Sequence, residues 1–292
     1  VAVTYNATSG IYSWTYTPTE AAQLVSGLAA TALTDAFTVT ATDGTSTPGS
    51  LTVSGITVAP EHWTVDSSIG AISGKPSAVA ISPDGALAYV TDKTHDSVAV
   101  IDLATGNVVQ TYTVGDQPTT IAVHADGRIY VGSKDGLNVI NPTSGAVKAL
   151  AISGGVRQVV VSPDGTRVYA TKTGTVTSGI VVITTATDTV ATTFGYPASY
   201  LAFAGTDSSK IYATDTAGLA LTVLKASDGS LLGVTYVMND PGPLAVNTAG
   251  TRAYVTTPTA IKVYDIADPT HMSVVQTIAL SSAPDAIALS PD

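Results

Sequence analysis

Apolar and polar residues alternate with a period of two along much of this chain, the pattern of half-buried β-strands. Over residues 10–17 it runs Gly10-Ile11-Tyr12-Ser13-Trp14-Thr15-Tyr16-Thr17, and it returns over 36–42 and 50–58. Residues 20–33 break the alternation; they are Ala- and Leu-rich and suit a helical turn or short helix. Asp43-Gly44 reads as a turn and Pro60 closes the segment. Three or four strands are too few for a complete sandwich of about 100 residues. The expectation for residues 1–60 is a β-sandwich fragment that lacks its N-terminal strands.

From residue 61 the alternation becomes cyclic. Ser82-Pro83-Asp84-Gly85 recurs as His124-Ala125-Asp126-Gly127 and Ser162-Pro163-Asp164-Gly165. Weaker copies are Gly205-Thr206-Asp207-Ser208 and Asn247-Thr248-Ala249-Gly250. A tyrosine follows each copy in a short apolar run: Tyr89, Tyr130, Tyr169, Tyr212 and Tyr254. Two further apolar runs, joined by a turn, complete each unit. The period is about 42 residues, and a four-stranded unit of that length is the repeat of a β-propeller. One blade cannot bury both of its faces, but blades packed around an axis can. The tyrosines are therefore expected between blades. The Asp before each Gly is expected to brace its turn through side-chain-to-backbone hydrogen bonds.

Ala88-Tyr89-Val90-Thr91-Asp92, Ala253-Tyr254-Val255-Thr256-Thr257 and the Ser-Pro-Asp-Gly turns resemble the YVTN-repeat β-propellers over residues 75–292. In the first segment, Tyr16-Thr17-Pro18-Thr19, Ala21-Ala22, Asp35-Ala36-Phe37-Thr38-Val39-Thr40 and Thr42-Asp43-Gly44 resemble bacterial cadherin-like or Ig-like modules of the VCBS type. The pairing is similar to mycobacterial and other actinobacterial surface proteins. The resemblance implies an all-β chain, with an Ig-like β-sandwich fragment over 1–60 and a β-propeller of four-stranded blades over 61–292. It also implies an extracellular or cell-wall-associated binding role. YVTN propellers share their fold with lactonase-type propellers, so a hydrolase or lyase acting on a small molecule in the channel is the alternative.

Five blades are complete in the sequence. A sixth has only its innermost strand, Asp285-Ala286-Ile287-Ala288-Leu289, to which residues 61–73 could add an outer strand pair. Together these fall short of the about 42 residues that a blade needs. Both ends read as cuts in a longer polypeptide, since Val1 opens in mid-strand and Ser290-Pro291-Asp292 opens a turn. An unclosed ring would expose an apolar blade face and a strand edge.

Composition narrows the function. Hydrophobic residues make up 45% of the 292 positions and charged residues only 12%, about half the globular norm of about 25%. The net charge of −10 opposes a nucleic-acid partner, which needs a basic patch. There is no cysteine, which excludes disulfides, thiolate metal sites and a Cys nucleophile. No apolar run approaches 18 residues, so no membrane insertion is expected. His62, His95, His124 and His271 lie far apart, without metal-ligand spacing. No nucleophile elbow or phosphate loop is present. Glu occurs only at Glu20 and Glu61, which excludes a Glu base within the repeats. Asp35, Asp43, Glu20 and Glu61 do not supply the six to eight oxygens that calcium takes. No cofactor or metal is expected.

The remaining candidate site follows from propeller geometry. Loops before each innermost strand and loops after each second strand share one rim, around the channel mouth. Much of the scarce charge falls there: Lys75, Lys93, His95, Asp116, Lys134, Arg157, Lys172, Asp215 and Asp240. Arg157 stands where the first two repeats have Pro76 and Pro118, and its planar fork suits a carboxylate. The expectation is a non-enzymatic secreted or cell-surface scaffold that binds a protein, peptide or glycan at this mouth.

Overall fold

The Ser-Pro-Asp-Gly turn shows how the sequence writes each hairpin. Ser82 Oγ donates to Asp84 Oδ1 and accepts from the Leu87 N–H at 2.9 Å, while Asp84 Oδ1 accepts from the Ala86 N–H at 3.1 Å. Gly85 takes the left-handed conformation that closes the turn, with φ 73°. Ser162, Asp164 and Gly165 repeat this arrangement, with Thr166 and Arg167 supplying the N–H groups. In each case the turn joins an innermost strand to the second strand of its blade.

The computed structural model describes residues 2–6, 11–15, 33–41, 49–58, 74–173, 179–237 and 239–289. The chain divides into two compact units, residues 1–68 and 69–292. In the first, β1 (Ala2–Asn6) pairs antiparallel with β2 (Ile11–Thr15). Likewise β3 (Leu33–Ala41) pairs with β4 (Gly49–Val58), with a register shift between Asp35 and Phe37. The helical segment read over 20–33 falls outside the described residues up to its last position, and Asp43-Gly44 and 61–73 fall outside them entirely.

The second unit contains five four-stranded antiparallel sheets among the described residues, each a simple meander. Blade one is β5 (Pro76–Ile81), β6 (Leu87–Asp92), β7 (Ser97–Asp102) and β8 (Val108–Thr113). Blade two is β9 (Thr120–Val123), β10 (Ile129–Ser133), β11 (Gly136–Asn141) and β12 (Ala146–Ala151). Blade three is β13 (Val156–Val161), β14 (Arg167–Lys172), β15 (Ile180–Thr184) and β16 (Thr189–Phe194). Blade four is β17 (Tyr200–Ala204), β18 (Asp207–Asp215), β19 (Ala220–Lys225) and β20 (Leu231–Tyr236). Blade five is β21 (Leu244–Val246), β22 (Arg252–Thr257), β23 (Ala260–Asp265) and β24 (Ser273–Ala279). The innermost strands touch in the order β5, β9, β13, β17, β21. The unit is therefore a β-propeller built around an axis.

The repeated tyrosines form the packing between blades. Tyr89 packs with Ile129, Val131 and Ile140 of blade two. Tyr130 packs with Val168, Ala170 and Ile183 of blade three, and Tyr169 with Ile211, Ala213 and Leu224 of blade four. Tyr212 packs with Ala253, Val255 and Tyr264 of blade five. These four are buried, whereas Tyr254 is only half-buried, because no blade follows the fifth among the described residues. At the other end of the series, Val79 and Ile81 of β5 are 63% and 49% exposed.

The innermost strand expected at residues 285–289 is not formed. A strand needs a neighbour to take its backbone hydrogen bonds, and no strand pairs with this segment among the described residues.

Candidate functional site

Backbone hydrogen bonds tie the two sets of rim loops together, blade by blade. The Lys93 N–H donates to Lys75 O at 3.0 Å, and the Lys134 N–H to Asp116 O at 2.9 Å. Thr173 N–H reaches Gly155 O and Thr256 N–H reaches Pro243 O, at 3.3 and 3.0 Å. In blade four the Ser199 and Thr216 hydroxyls meet at 2.9 Å. Within each of these blades, the loop before the innermost strand therefore lies beside the loop after the second strand.

The side chains read from the sequence as mouth residues do not all face solvent in the same way. Asp92 is buried and accepts from the N–H groups of Lys75 and Thr94, with the His95 ring 2.6 Å from its other oxygen. Burial pushes the Asp92 carboxyl up, but His95 and these N–H groups outweigh it and hold it below its ordinary value. Asp215 is also buried, and its carboxylate is engaged by the N–H groups of Ala217 and Gly218 in its own loop. His95 and Asp215 thus act first as loop braces. Asp116 and Lys134 form an exposed pair at 3.7 Å, a geometry that contributes little to stability. Lys172 reaches Ser153 Oγ at 3.4 Å. Lys75 and Lys93 make no ion pair among the described residues.

Arg157 and Asp240 come together at one cavity of about 360 Å³, beside the innermost strands of blades three to five. Arg157 is exposed, makes no ion pair, and holds its guanidinium 5.8 Å from the centre of the Tyr200 ring. That is cation–π distance. The neighbouring Gln158 fixes this arrangement: its side chain accepts from the Leu201 N–H at 2.5 Å and donates to Leu201 O at 3.3 Å. Across the cavity, Asp240 and Asp285 have carboxylates without hydrogen-bond or ion-pair partners among the described residues. Asp240 sits in the left-handed region, with φ 47° beside Asn239 at 75°. Such a conformation costs a non-glycine residue about 1–2 kcal/mol. Pro241 and Pro243 stiffen the loop that carries it.

This arrangement offers a ligand a planar cationic fork, an aromatic face and two carboxylate acceptors. Tyr200, Thr216 and Thr257 also line it, and none of them is evident as a site residue from sequence. Tyr200 opens an innermost strand immediately after a rim loop, and that position is the signal that could have identified it.

The opposite rim is structural in character. His124 Nε2 lies 2.8 Å from Gly165 O of the next blade, and its Nδ1 lies 2.7 Å from Asp126. Burial pushes the Asp126 carboxyl up, but hydrogen bonds from Arg128 and His124 hold it well below the usual carboxylate range. A depressed folded-state pKa gives stability that is present above the unfolded value, about 3.9, and lost as pH falls toward the folded one. The thermal midpoint should therefore stay level down to about pH 5 and drop below about pH 4. Asp126→Asn should lower the neutral-pH midpoint and flatten that acid limb. Melting curves from pH 3 to 7 check this, and an acid limb equally steep in the variant would refute it.

No protein-family model matches the chain. The chain is 33% identical over 126 residues to the seven-bladed β-propeller protein Rv1057 of Mycobacterium tuberculosis. That match covers 40% of this chain, and the chain spans about a third (32%) of the relative's length. A chain in the crystal structure of a mitotic checkpoint complex superposes with a TM-score of 0.66 at 14% identity, covering 76% of this chain and 70% of that one. The Cps50 (Swd1) β-propeller domain of Myceliophteria thermophila gives a TM-score of 0.61 at 12% identity, covering 71% and 72%. At such identities the likeness of the solved structures concerns the fold alone.

Proposed function

We propose that this chain is a non-enzymatic interaction scaffold that binds its ligand at the propeller mouth, in the cavity between Arg157 and Asp240. The observation that carries this reading is the unpaired Arg157 guanidinium held over Tyr200 and facing two unpartnered carboxylates. Charged groups without partners around a rigid concave surface suit a ligand that brings its own counter-charges. A peptide with a free terminus, or an acidic glycan carrying an amine, has that chemistry. The resemblance of the repeats and of residues 1–60 to modules of bacterial surface proteins is the basis for an extracellular or cell-wall location. Residues 1–60 then serve as an Ig-like or cadherin-like spacer. No helix among the described residues is long and apolar enough to cross a membrane.

An array of immobilised peptides and glycans tests the reading. Arg157→Ala should weaken binding by about 10–100-fold, the loss of one charge-assisted hydrogen-bonded contact of about 1.5–3 kcal/mol. Its melting temperature should be unchanged, because Arg157 is exposed. Lys93→Ala, on the same rim, should weaken binding less. Unchanged affinity in both variants overturns the mouth as the site.

A further inference from the structure

Because the blades repeat, each junction between them is an internal control for the next. Arg128 and Arg167 hold the same place, two residues before the junction tyrosines Tyr130 and Tyr169. Each reaches the turn between the third and fourth strands of the following blade. Between blades two and three, Arg128 donates to Thr185 O at 2.7 Å and to both Asp188 oxygens at 2.6 and 2.7 Å. The Tyr130 hydroxyl donates to the same carboxylate at 2.6 Å. Asp126 closes the rest of the guanidinium, 2.9 Å from Nε.

Between blades three and four the cation is kept and both carboxylates are lost. Arg167 donates to Ala226 O at 2.9 Å and Ser227 O at 3.2 Å, and the Tyr169 hydroxyl donates to Ala226 O at 3.0 Å. Asp164, the counterpart of Asp126, is turned instead to Ser162 and Thr166. The counterpart of Asp188 is Gly229, and both are left-handed, with φ 50° and 73°. A side chain at 229 would run into the Phe194 ring. The chain therefore cannot supply the carboxylate from that position. Arg167 is half-buried, donates to two carbonyls, and makes no ion pair among the described residues. A guanidinium in that setting is short of a counter-charge.

Beside it lies a cavity of about 360 Å³, lined by Asp164, Arg167, Tyr169, Ser208, Ser209 and Lys225 among others. Lys225 pairs at 3.2 Å with Asp228, both half exposed. With Lys225 paired to Asp228, Arg167 is the cation of this lining that lacks an ion pair among the described residues.

We infer that the cleft between blades three and four is a second ligand site, which binds a small hydroxylated carboxylic acid of sugar-acid size. Its carboxylate pairs with Arg167, as Asp188 pairs with Arg128 at the preceding junction. Its hydroxyls meet the serine hydroxyls and the Asp164 carboxylate. The volume suits one monosaccharide unit, either as a free sugar acid or as the end of an acidic glycan.

Glucuronate titrated into the full chain, followed by calorimetry and by ligand-observed NMR, tests the inference. Glucose and inorganic sulfate serve as comparison probes. Glucuronate should bind at least tenfold more tightly than either, and a glucuronate-terminated disaccharide separates the free acid from the glycan end. Arg167→Gln should weaken glucuronate binding at least tenfold, while Arg157→Ala at the mouth leaves it unchanged. Should Arg167→Gln fail to fold, Ser209→Phe keeps the arginine and blocks the cleft from an exposed position, with the same loss expected. Equal binding of glucose and glucuronate, or full glucuronate binding by Ser209→Phe, overturns the site.

Discussion

Tyr169→Ala should destabilise the propeller by about 3–5 kcal/mol, the range for truncating a large aromatic side chain in a core. Tyr169 is 1% exposed and lies at the centre of the junction between blades three and four. Its ring stands 5.6 Å from Phe203 and 6.3 Å from Phe194, at tilted angles typical of favourable aromatic pairs. Truncation leaves a cavity between two sheets that cannot collapse, because each is held by its own hydrogen-bond ladder. It also strands the hydrogen bond to Ala226 O. Tyr254→Ala provides the comparison. It removes the equivalent residue of blade five, which is half-buried, and should cost no more than about 2 kcal/mol. Urea unfolding of the two variants measures the difference as a shift in midpoint at constant slope. Equal losses at both positions would mean that the tyrosines do not act through blade–blade packing.

The second large effect is expected at Asp188. Asp188→Gly should destabilise the protein by about 2–4 kcal/mol, although glycine is the better residue for its backbone. Blades one, two and four have Gly106, Gly145 and Gly229 in this left-handed turn position, with φ of 70°, 73° and 73°. Asp188 adopts φ 50° there, and glycine would relieve about 1 kcal/mol of strain. Against that gain stands the Arg128–Asp188 pair, whose side chains are 20% and 18% exposed. Removing one partner of a largely buried pair costs about 3–5 kcal/mol, toward the lower end here because Asp126 still pairs with Arg128. The Tyr130 hydroxyl loses its acceptor as well. A double-mutant cycle with Arg128→Met isolates the coupling. If Asp188→Gly proves neutral or stabilising, the carboxylate does not bind the two blades together.

Much of the fold could be read from residues whose consequences are local. The Ser-Pro-Asp-Gly turns carry their own hydrogen bonds within five residues, so Ser82, Asp84 and Gly85 specify a hairpin wherever they occur. Alternation then places one residue in two on a blade face, and recurrence of Tyr89, Tyr130, Tyr169 and Tyr212 marks which face meets the next blade. Where the neighbour is not local, the same reading breaks down. Residues 285–289 have the alternation of an innermost strand, but among the described residues no strand pairs with them. Tyr254 has the sequence context of its counterparts but is less buried than they are.

The candidate site was legible only as a rim. Loop position indicated that Lys75, Lys93, Asp116, Lys134, Arg157, Lys172 and Asp240 share one end of the propeller, because connectivity dictates which strand ends face the same way. It could not indicate which charges are free. Asp215 is engaged in closing its own turn and His95 lies against Asp92, while Arg157 and Asp240 stay unpaired across a cavity.

The sequence by itself therefore determined the all-β class, the period of the blades, the hairpin turns and the residues between the sheets. All of these depend on patterns within one repeat. The tertiary structure alone decided how neighbouring repeats differ. Arg128 and Arg167 are the same letter at the same place in the repeat. One meets two carboxylates, and the other faces an open cleft, because their partners come from turns about 60 residues further along the chain. Charge satisfaction is a property of three-dimensional neighbours, and no single repeat contains both halves of the contact.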